Sequence, residues 1–405
     1  MTSLAVPLGG VRVLDLTRLL PGNYCAWLLS SLGADVIKIE DPGAGDYMRS
    51  FGVQVDGMSA THHVVNRGKR SLVLDLKQPE GVSTLLELAR TADAVVESFR
   101  PGVLDRLGAG WEQLHAASPA LVLASISGFG PSGPLAKMAG HDINYMAFSG
   151  LLDRMRSGDQ APQLPAVAIA DVVGGGLVTA LGVVSLVLRA RQTGEGGRIE
   201  SAMAEAIALL PSLMLCDELA GQPAGPPGRD TYDGGSPWYR IYRLADHGFA
   251  AVGAVEERFF ASLCTLIARP DLAAALADPA RQGEIGAALT AEFASLTWDE
   301  AQDKYAGNEA CVNFVYTTGD MIGSEHARER GLFQSGPGLP FPVPAAPFTF
   351  DGSRPPEKGP APRQGEHTVQ VLQEAGFDAE RINKLLAAQI VRQPAAGESP
   401  GRPGH

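Results

Sequence analysis

The chain has 405 residues, with 33 basic against 45 acidic side chains and a formal charge of −12. Molecules of that sign attract neither nucleic acid nor an anionic membrane as a whole, so a general binder of either is excluded. Forty-eight glycines and 29 prolines imply many turns, while 45% hydrophobic residues exclude wholesale disorder.

The start, MTSLAVPLGG, lacks a basic segment followed by a long apolar core, so no signal peptide is expected. Short apolar runs follow: VRVLDL (11–16), ADVIKIE (34–40), SLVLDL (71–76), ADAVVESF (92–99) and LVLASISG (121–128). Between them lie YCAWLLSSLG, PEGVSTLLELARTA and VLDRLGAGWEQLHAA, each apolar at three- and four-residue spacing. Strands alternating with single helices predict βαβ units, hence an α/β fold with a doubly wound, Rossmann-like parallel sheet.

A long apolar helix is expected from Asp171 to about Thr193, ended by Gly194. Its stretch from Val172 to Leu188 has no charge, but it is short for a membrane span and reads as a buried core helix. A second helix is expected over Glu200 to Leu219. The connector GQPAGPPGRDTYDGGSP then changes the texture.

WYRIYRLADHGFAAVGAV predicts a hairpin turning at Asp246-His247-Gly248, and EERFFASLCTLIA and TWDEAQDKYA predict helices. PGLPFPVPAAPFTF reads as an extended return, and GEHTVQVLQEAGFDAERINKLLAAQIV as a closing helix pair. The domains expected are a large discontinuous one over 1–225 and 331–393 and a small α+β one over 226–330. Residues 394–405 should form a disordered tail.

Cys25, Cys216, Cys264 and Cys311 are scattered without metal-like spacing, which suits reduced thiols in a cytoplasmic protein. Gly128-Phe129-Gly130-Pro131-Ser132-Gly133 matches the letters of a dinucleotide fingerprint. Pro131 and Pro134 make it a turn rather than a helix start, and the nearest acid downstream is Asp142, so no NAD site is expected. A glycine-lined loop after a strand still suits a ligand-facing position.

His141 follows a glycine in GHDINY, where Asp142 can cap a following helix. A histidine there either projects into a cleft or is a hydrogen-bonded loop residue. Asp171, in AVAIADVVGGG, is either a helix cap or a buried acid–base group.

LGGVRVLDLTRLLPGNYCAWLLSSLGADVIKIEDP, NRGKRSLVLDLK, SFRPGVLDRLG and SISGFGPSGP resemble the family III CoA-transferase superfamily. GHDINYMAFSG, ADVVGGGL, DGGSPWYRIYRLADHG and AVGAVEERFF are similar to its alpha-methylacyl-CoA racemase branch. The resemblance runs from about residue 8 to 390.

It implies that His141 and Asp171 face each other across the α-carbon of a 2-methylacyl-CoA, one removing and the other returning a proton. It further implies that Glu256 hydrogen-bonds the histidine, although Glu256 alone would read as a surface charge, and that Asp142 is the acid beside it. An interlocked homodimer is implied as well. A thioester stabilises the neighbouring carbanion as an enolate, so no metal, PLP or NAD is expected beyond the CoA of the substrate.

A model imidazole near 6.5 and a model carboxylic acid near 3.9 differ by roughly 2.6 units, or about 3.5 kcal/mol. Inversion in both directions works better if burial raises the carboxyl of Asp171.

CoA carries several phosphates, so an acidic protein must gather cations locally. Arg67, Lys69 and Arg70 before a strand, and Arg100 and Arg106 after the fourth, are the expected contacts, with Arg106 favoured. Asp41 stands where some relatives carry a basic residue. One alternative shares the fold: a CoA-transferase in which Asp171 is a nucleophile that takes CoA as a thioester. Another is a CoA-binding scaffold without activity. The acyl group, whether branched fatty acyl, sterol side chain or arylpropionyl, is not readable.

Overall fold

The apolar runs between residues 11 and 128 are strands, and they pair in parallel. A computed structural model describes residues 6–394. Its main sheet has seven strands in the spatial order Val391–Arg392, Arg70–Leu74, Asp35–Glu40, Arg12–Leu16, Ala94–Glu97, Val122–Ser127 and Gly197–Ala202. All neighbours are parallel except the first pair, where Val391–Arg392 runs antiparallel. Taken without that edge strand, the chain order is 3-2-1-4-5-6, the doubly wound α/β arrangement.

Strands Arg12–Leu16, Asp35–Glu40, Arg70–Leu74 and Ala94–Glu97 bury nearly every residue, as they must with helices on both faces. On one side Leu14, Ile37, Leu72, Leu85, Leu88, Leu114, Leu372 and Leu385 form a continuous core. The helices Pro79–Ala89, Trp111–Ala117, Thr368–Glu374 and Ala379–Ala387 supply the covering half of it. Helix Leu19–Ser31 covers the sheet elsewhere, burying Cys25, Ala26, Leu28 and Leu29.

The long apolar helix runs from Ala170 to Thr193, and its first part, Ala170–Val178, is wound as a π-helix. The glycine run within it permits close approach. A Cβ on Gly175 would come within 2.4 Å of Pro21, and one on Gly176 within 2.6 Å of Tyr24. This helix is long and apolar enough to cross a bilayer. The expectation of a buried core helix holds for one face only: Thr179, Ala180, Val183 and Val187 are buried, whereas Leu181 is 68% and Leu188 58% exposed.

A second correction concerns residues 197–202. The helix expected over Glu200–Leu219 is instead strand Gly197–Ala202 followed by helices Met203–Ala208 and Ser212–Leu219. Pro211 cannot continue a helix that begins before it, and Gly197 to Ser201 alternate between inward and outward positions.

By contacts the described chain falls into two units. One contains the residues up to Ser149, Pro165–Leu210 and those from Glu329 onward; the other contains Gly150–Leu164 and Pro211–Arg328. The sequence boundary at 225/226 therefore lies about fifteen residues late, and 150–164 moves to the smaller unit. The reason is visible in Arg154, which pairs with Asp230 and Asp233 and donates to the Gly225 carbonyl at 2.8 Å.

The smaller unit has an antiparallel sheet in the order Val312–Phe314, Phe249–Gly253, Tyr239–Arg243. Trp238, Tyr242, Phe260, Leu263, Phe293 and Tyr305 form its core. Its hairpin turns where expected, with His247 at φ 73°. From residue 395 on, the expected tail lies outside the described residues.

Candidate active site

Parallel sheets leave a crevice where neighbouring strands send their connections to opposite faces. Here that point lies between Arg12–Leu16 and Ala94–Glu97. A cavity of about 1030 Å³ opens there, lined by Arg18 and Leu19 after the first strand and by Ser98–Gly102 after the fourth. Ile126 and Ser127 at the end of the fifth strand, with Gly128, Phe129 and Pro131 just after it, add the third wall. Its size suits a large organic ligand. The glycine-lined loop faces the cavity, as its place after a strand suggested, through Gly128, Phe129 and Pro131.

His141, Tyr145 and Asp171 line the same cavity. His141 sits at the N-cap of helix Asp142–Phe148 in extended conformation, so its side chain is not carried on a helix face. Its N–H donates to Asn144 Oδ1 at 3.0 Å. Asp171 lies inside the first turn of its helix rather than at the cap, which is Ile169. The backbone N–H of Asp171 instead donates to Asp142 Oδ1 at 3.0 Å.

Asp142 and Asp171 are therefore neighbours, and the electrostatics follow. Burial pushes the Asp171 carboxyl up from 3.8 to about 7, and the charge of Asp142 adds to the effect. The rise expected from burial is present.

Tyr145 closes one side. Its hydroxyl donates to the Gly140 carbonyl at 2.6 Å, fixing the residue before His141. Its ring lies so near Gly128 that a Cβ there would come within 2.4 Å. Burial, then Asp171 and Asp142, raise the Tyr145 phenol above its ordinary value. Nothing in the local sequence singles out Tyr145, since its neighbourhood arises from three separate loops.

The five expected CoA-binding cations separate into two groups. Arg100 and Arg106 line the cavity. Arg67, Lys69 and Arg70 do not, and their side chains are engaged within the protein. Arg67 is 2% exposed; it pairs with Glu357 at 2.8 Å and stacks 4.7 Å from the Trp27 ring centre. Lys69 is buried against Asp15 at 3.0 Å and Asn66 Oδ1 at 2.9 Å, and burial lowers its amine to about 8. Arg70 bonds Asp35 and Glu374. A cluster of three cations before a strand resembled a ligand patch, but Arg67 and Lys69, between helix Ala60–Asn66 and that strand, turn inward. Arg18 and Lys137, which the sequence reading passed over, line the cavity instead.

Glu97 ends the fourth strand, and its carboxylate accepts from Phe99 N–H at 2.6 Å, shaping the turn into the cavity wall. Glu256 lies in the smaller unit, at the N-cap of helix Glu257–Leu266.

A doubly wound α/β unit thus gathers His141, Asp171 and the cations Arg18, Arg100, Arg106 and Lys137 around a cavity at the switch point, where sheets of this class bind their ligands. The model described as CoA-transferase family III matches residues 8–368, and the chain belongs to that family of enzymes. It is 37% identical over 401 residues to alpha-methylacyl-CoA racemase of Mus musculus, covering 95% of this chain and 97% of that one. It is 31% identical over 391 residues to succinate–glutarate CoA-transferase of Agrobacterium fabrum, covering 91% and 95%. Among solved structures, a CAIB/BAIF family protein from Brucella suis superposes with TM-score 0.79 at 29% identity, covering 91% of this chain and 99% of that chain.

Proposed function

We propose that the chain is a racemase or epimerase that inverts the α-carbon of 2-methylacyl-CoA thioesters through an enolate. His141 and Asp171 are the two acid–base groups. The observation that carries this reading is the carboxyl of Asp171 at about 7 in the cavity that His141 also lines. Such a carboxyl titrates near neutral pH, so Asp171 can act as acid or base there.

One base removes the α-proton, the electron pair moves into the thioester carbonyl, and the other group delivers a proton to the opposite face. The thioester supplies the electron sink, so the proposed chemistry requires no metal, PLP or NAD. Asp142 supports Asp171 through the bond to its N–H. The role carried over for Glu256, holding the imidazole of His141, remains part of the proposal. Arg100 and Arg106 are the proposed contacts to the phosphates of CoA. A homodimer is proposed too, because the uncovered face at Leu177, Leu181 and Leu188 is a stripe of the kind that copies of a chain bury.

The relative from Agrobacterium fabrum keeps a second reading alive: Asp171 as a nucleophile that forms an acyl intermediate and then a CoA thioester. A half-protonated carboxyl suits proton transfer better than attack as a carboxylate. Incubation of racemic 2-methylacyl-CoA in heavy water decides. Deuterium should enter the α-position with wild type, and His141→Ala and Asp171→Asn should each lose about 10²–10⁴-fold of that exchange. No exchange with wild type, together with transfer of CoA to a free carboxylic acid, would establish the transferase instead. A panel of branched fatty acyl, sterol side-chain and arylpropionyl thioesters in the same assay identifies the acyl group.

A further inference from the structure

We propose that Arg18 binds a phosphate at the nucleotide end of the CoA thioester, supplying a cation that the loop after the second strand does not. The proposal rests on the acyl-CoA reading above and adds a contact to it. At position 41, in that loop, the chain carries an aspartate. Arg18 bonds Asp41 through Nη2, and its guanidinium lies 5.8 Å from the Tyr47 ring centre. Arg18 lines the cavity and is 36% exposed, whereas Asp41 does not line it. The carboxylate thus holds the guanidinium from behind. Among the described contacts of the guanidinium only Nη2 is used, which leaves the N–H donors of Nε and Nη1 for a further acceptor.

The backbone that carries Arg18 is fixed more firmly than a surface loop would be. Its N–H donates to Ser98 Oγ at 3.1 Å, tying the loop of the first strand to that of the fourth. The next residue, Leu19, has φ 62°, a left-handed conformation that costs a non-glycine residue energy. Its N–H donates to Asp46 Oδ1 at 3.0 Å. Asp46 in turn bonds the fully buried Lys38 at 2.9 Å, and Lys38 donates to the Thr17 carbonyl at 3.0 Å. Thr17, Arg18 and Leu19 are therefore each anchored from a different element. A strained turn held in this way presents a side chain without having to order it on binding.

Charge supports the assignment. The phosphates of CoA carry about −4 near neutral pH. Arg100, Arg106 and Lys137 are the other cations at the cavity. Arg18 brings the number to four, against a chain of net charge −12.

Titration calorimetry of the intact protein with CoA, 3′-dephospho-CoA and pantetheine tests this. Arg18→Ala and Arg18→Gln should each bind CoA about tenfold or more weakly than wild type, and pantetheine unchanged. Loss of the difference with 3′-dephospho-CoA assigns Arg18 to the 3′-phosphate; its persistence there assigns Arg18 to the diphosphate. CoA affinities within twofold of wild type for both variants overturn the proposal, as does an equal loss toward pantetheine, which has no phosphate in common with CoA. Wild type that binds no CoA at all overturns the acyl-CoA reading itself, a result distinct from failure at Arg18.

Discussion

Asp171 shows how one backbone bond places two carboxyl groups side by side. Asp142 accepts the N–H of Asp171, and the carboxyl of Asp171 is held at about 7 by burial and by that neighbour. Between about pH 4 and 7 the folded chain keeps a proton there that the unfolded chain has released. Stability from this group therefore falls as pH rises through that window, and the cost persists above it. Asp171→Asn should be more stable than wild type at pH 8 by about 1–2 kcal/mol, the full shift being discounted for solvent screening at a half-buried site. The difference should vanish near pH 4, and urea midpoints at the two pH values measure it.

Lys69 makes the opposite case, a charge that serves the fold. Lys69→Met leaves Asp15 short of its nearest cation and should cost about 3–5 kcal/mol. Were Lys69 a ligand contact, KM for the thioester would rise with the urea midpoint unchanged. His141 and Asp171 were singled out by the resemblance of GHDINY and ADVVGGGL to family motifs, since the local sequence alone left a loop residue and a helix cap as readings. The cations were not legible, because whether Arg67 points into protein or solvent depends on Glu357, which is 290 residues away in the chain.

At the scale of elements, the glycine run of the long helix is a packing device. Gly175 allows Pro21, from the helix that follows the first strand, to touch the helix that carries Asp171. Gly175→Ala should force these apart at a cost of about 1–3 kcal/mol, read as a lowered denaturant midpoint, and should also reduce α-proton exchange by moving Asp171. Five strands of the main sheet were readable from apolar runs between turns, since both their faces are buried. The sixth, Gly197–Ala202, was missed because its first four residues alternate with polar and exposed positions at a sheet edge. Edge strands carry less of the hydrophobic signal that identifies a buried one. The third strand of the smaller sheet, Val312–Phe314, is only three residues long and too short to show a period.

For the molecule as a whole, the exposed leucines of helix Thr179–Thr193 carry the proposal of a homodimer. Leu181→Glu with Leu188→Glu should convert a dimer into a monomer in light scattering; an unchanged mass would remove that face from the interface. The second boundary was read at 330/331, and the contacts divide the chain at 328/329, where helix Glu325–Glu329 ends and an extended return begins. The contribution of 150–164 was hidden, because it depends on the Arg154 ion pairs rather than on local composition.

The antiparallel strand Val391–Arg392 has a consequence for biosynthesis. It pairs with Arg70–Leu74, so the open side of the parallel sheet is closed by nearly the last described residues. The smaller unit ends at Arg328 and has every one of its strands out of the ribosome well before then. During translation, at about 5–20 residues per second, the inserted unit can complete its fold while the surrounding one waits with strand Arg70–Leu74 unpaired along one side. For those seconds the nascent chain offers a bare ladder of N–H and C=O groups to any passing strand.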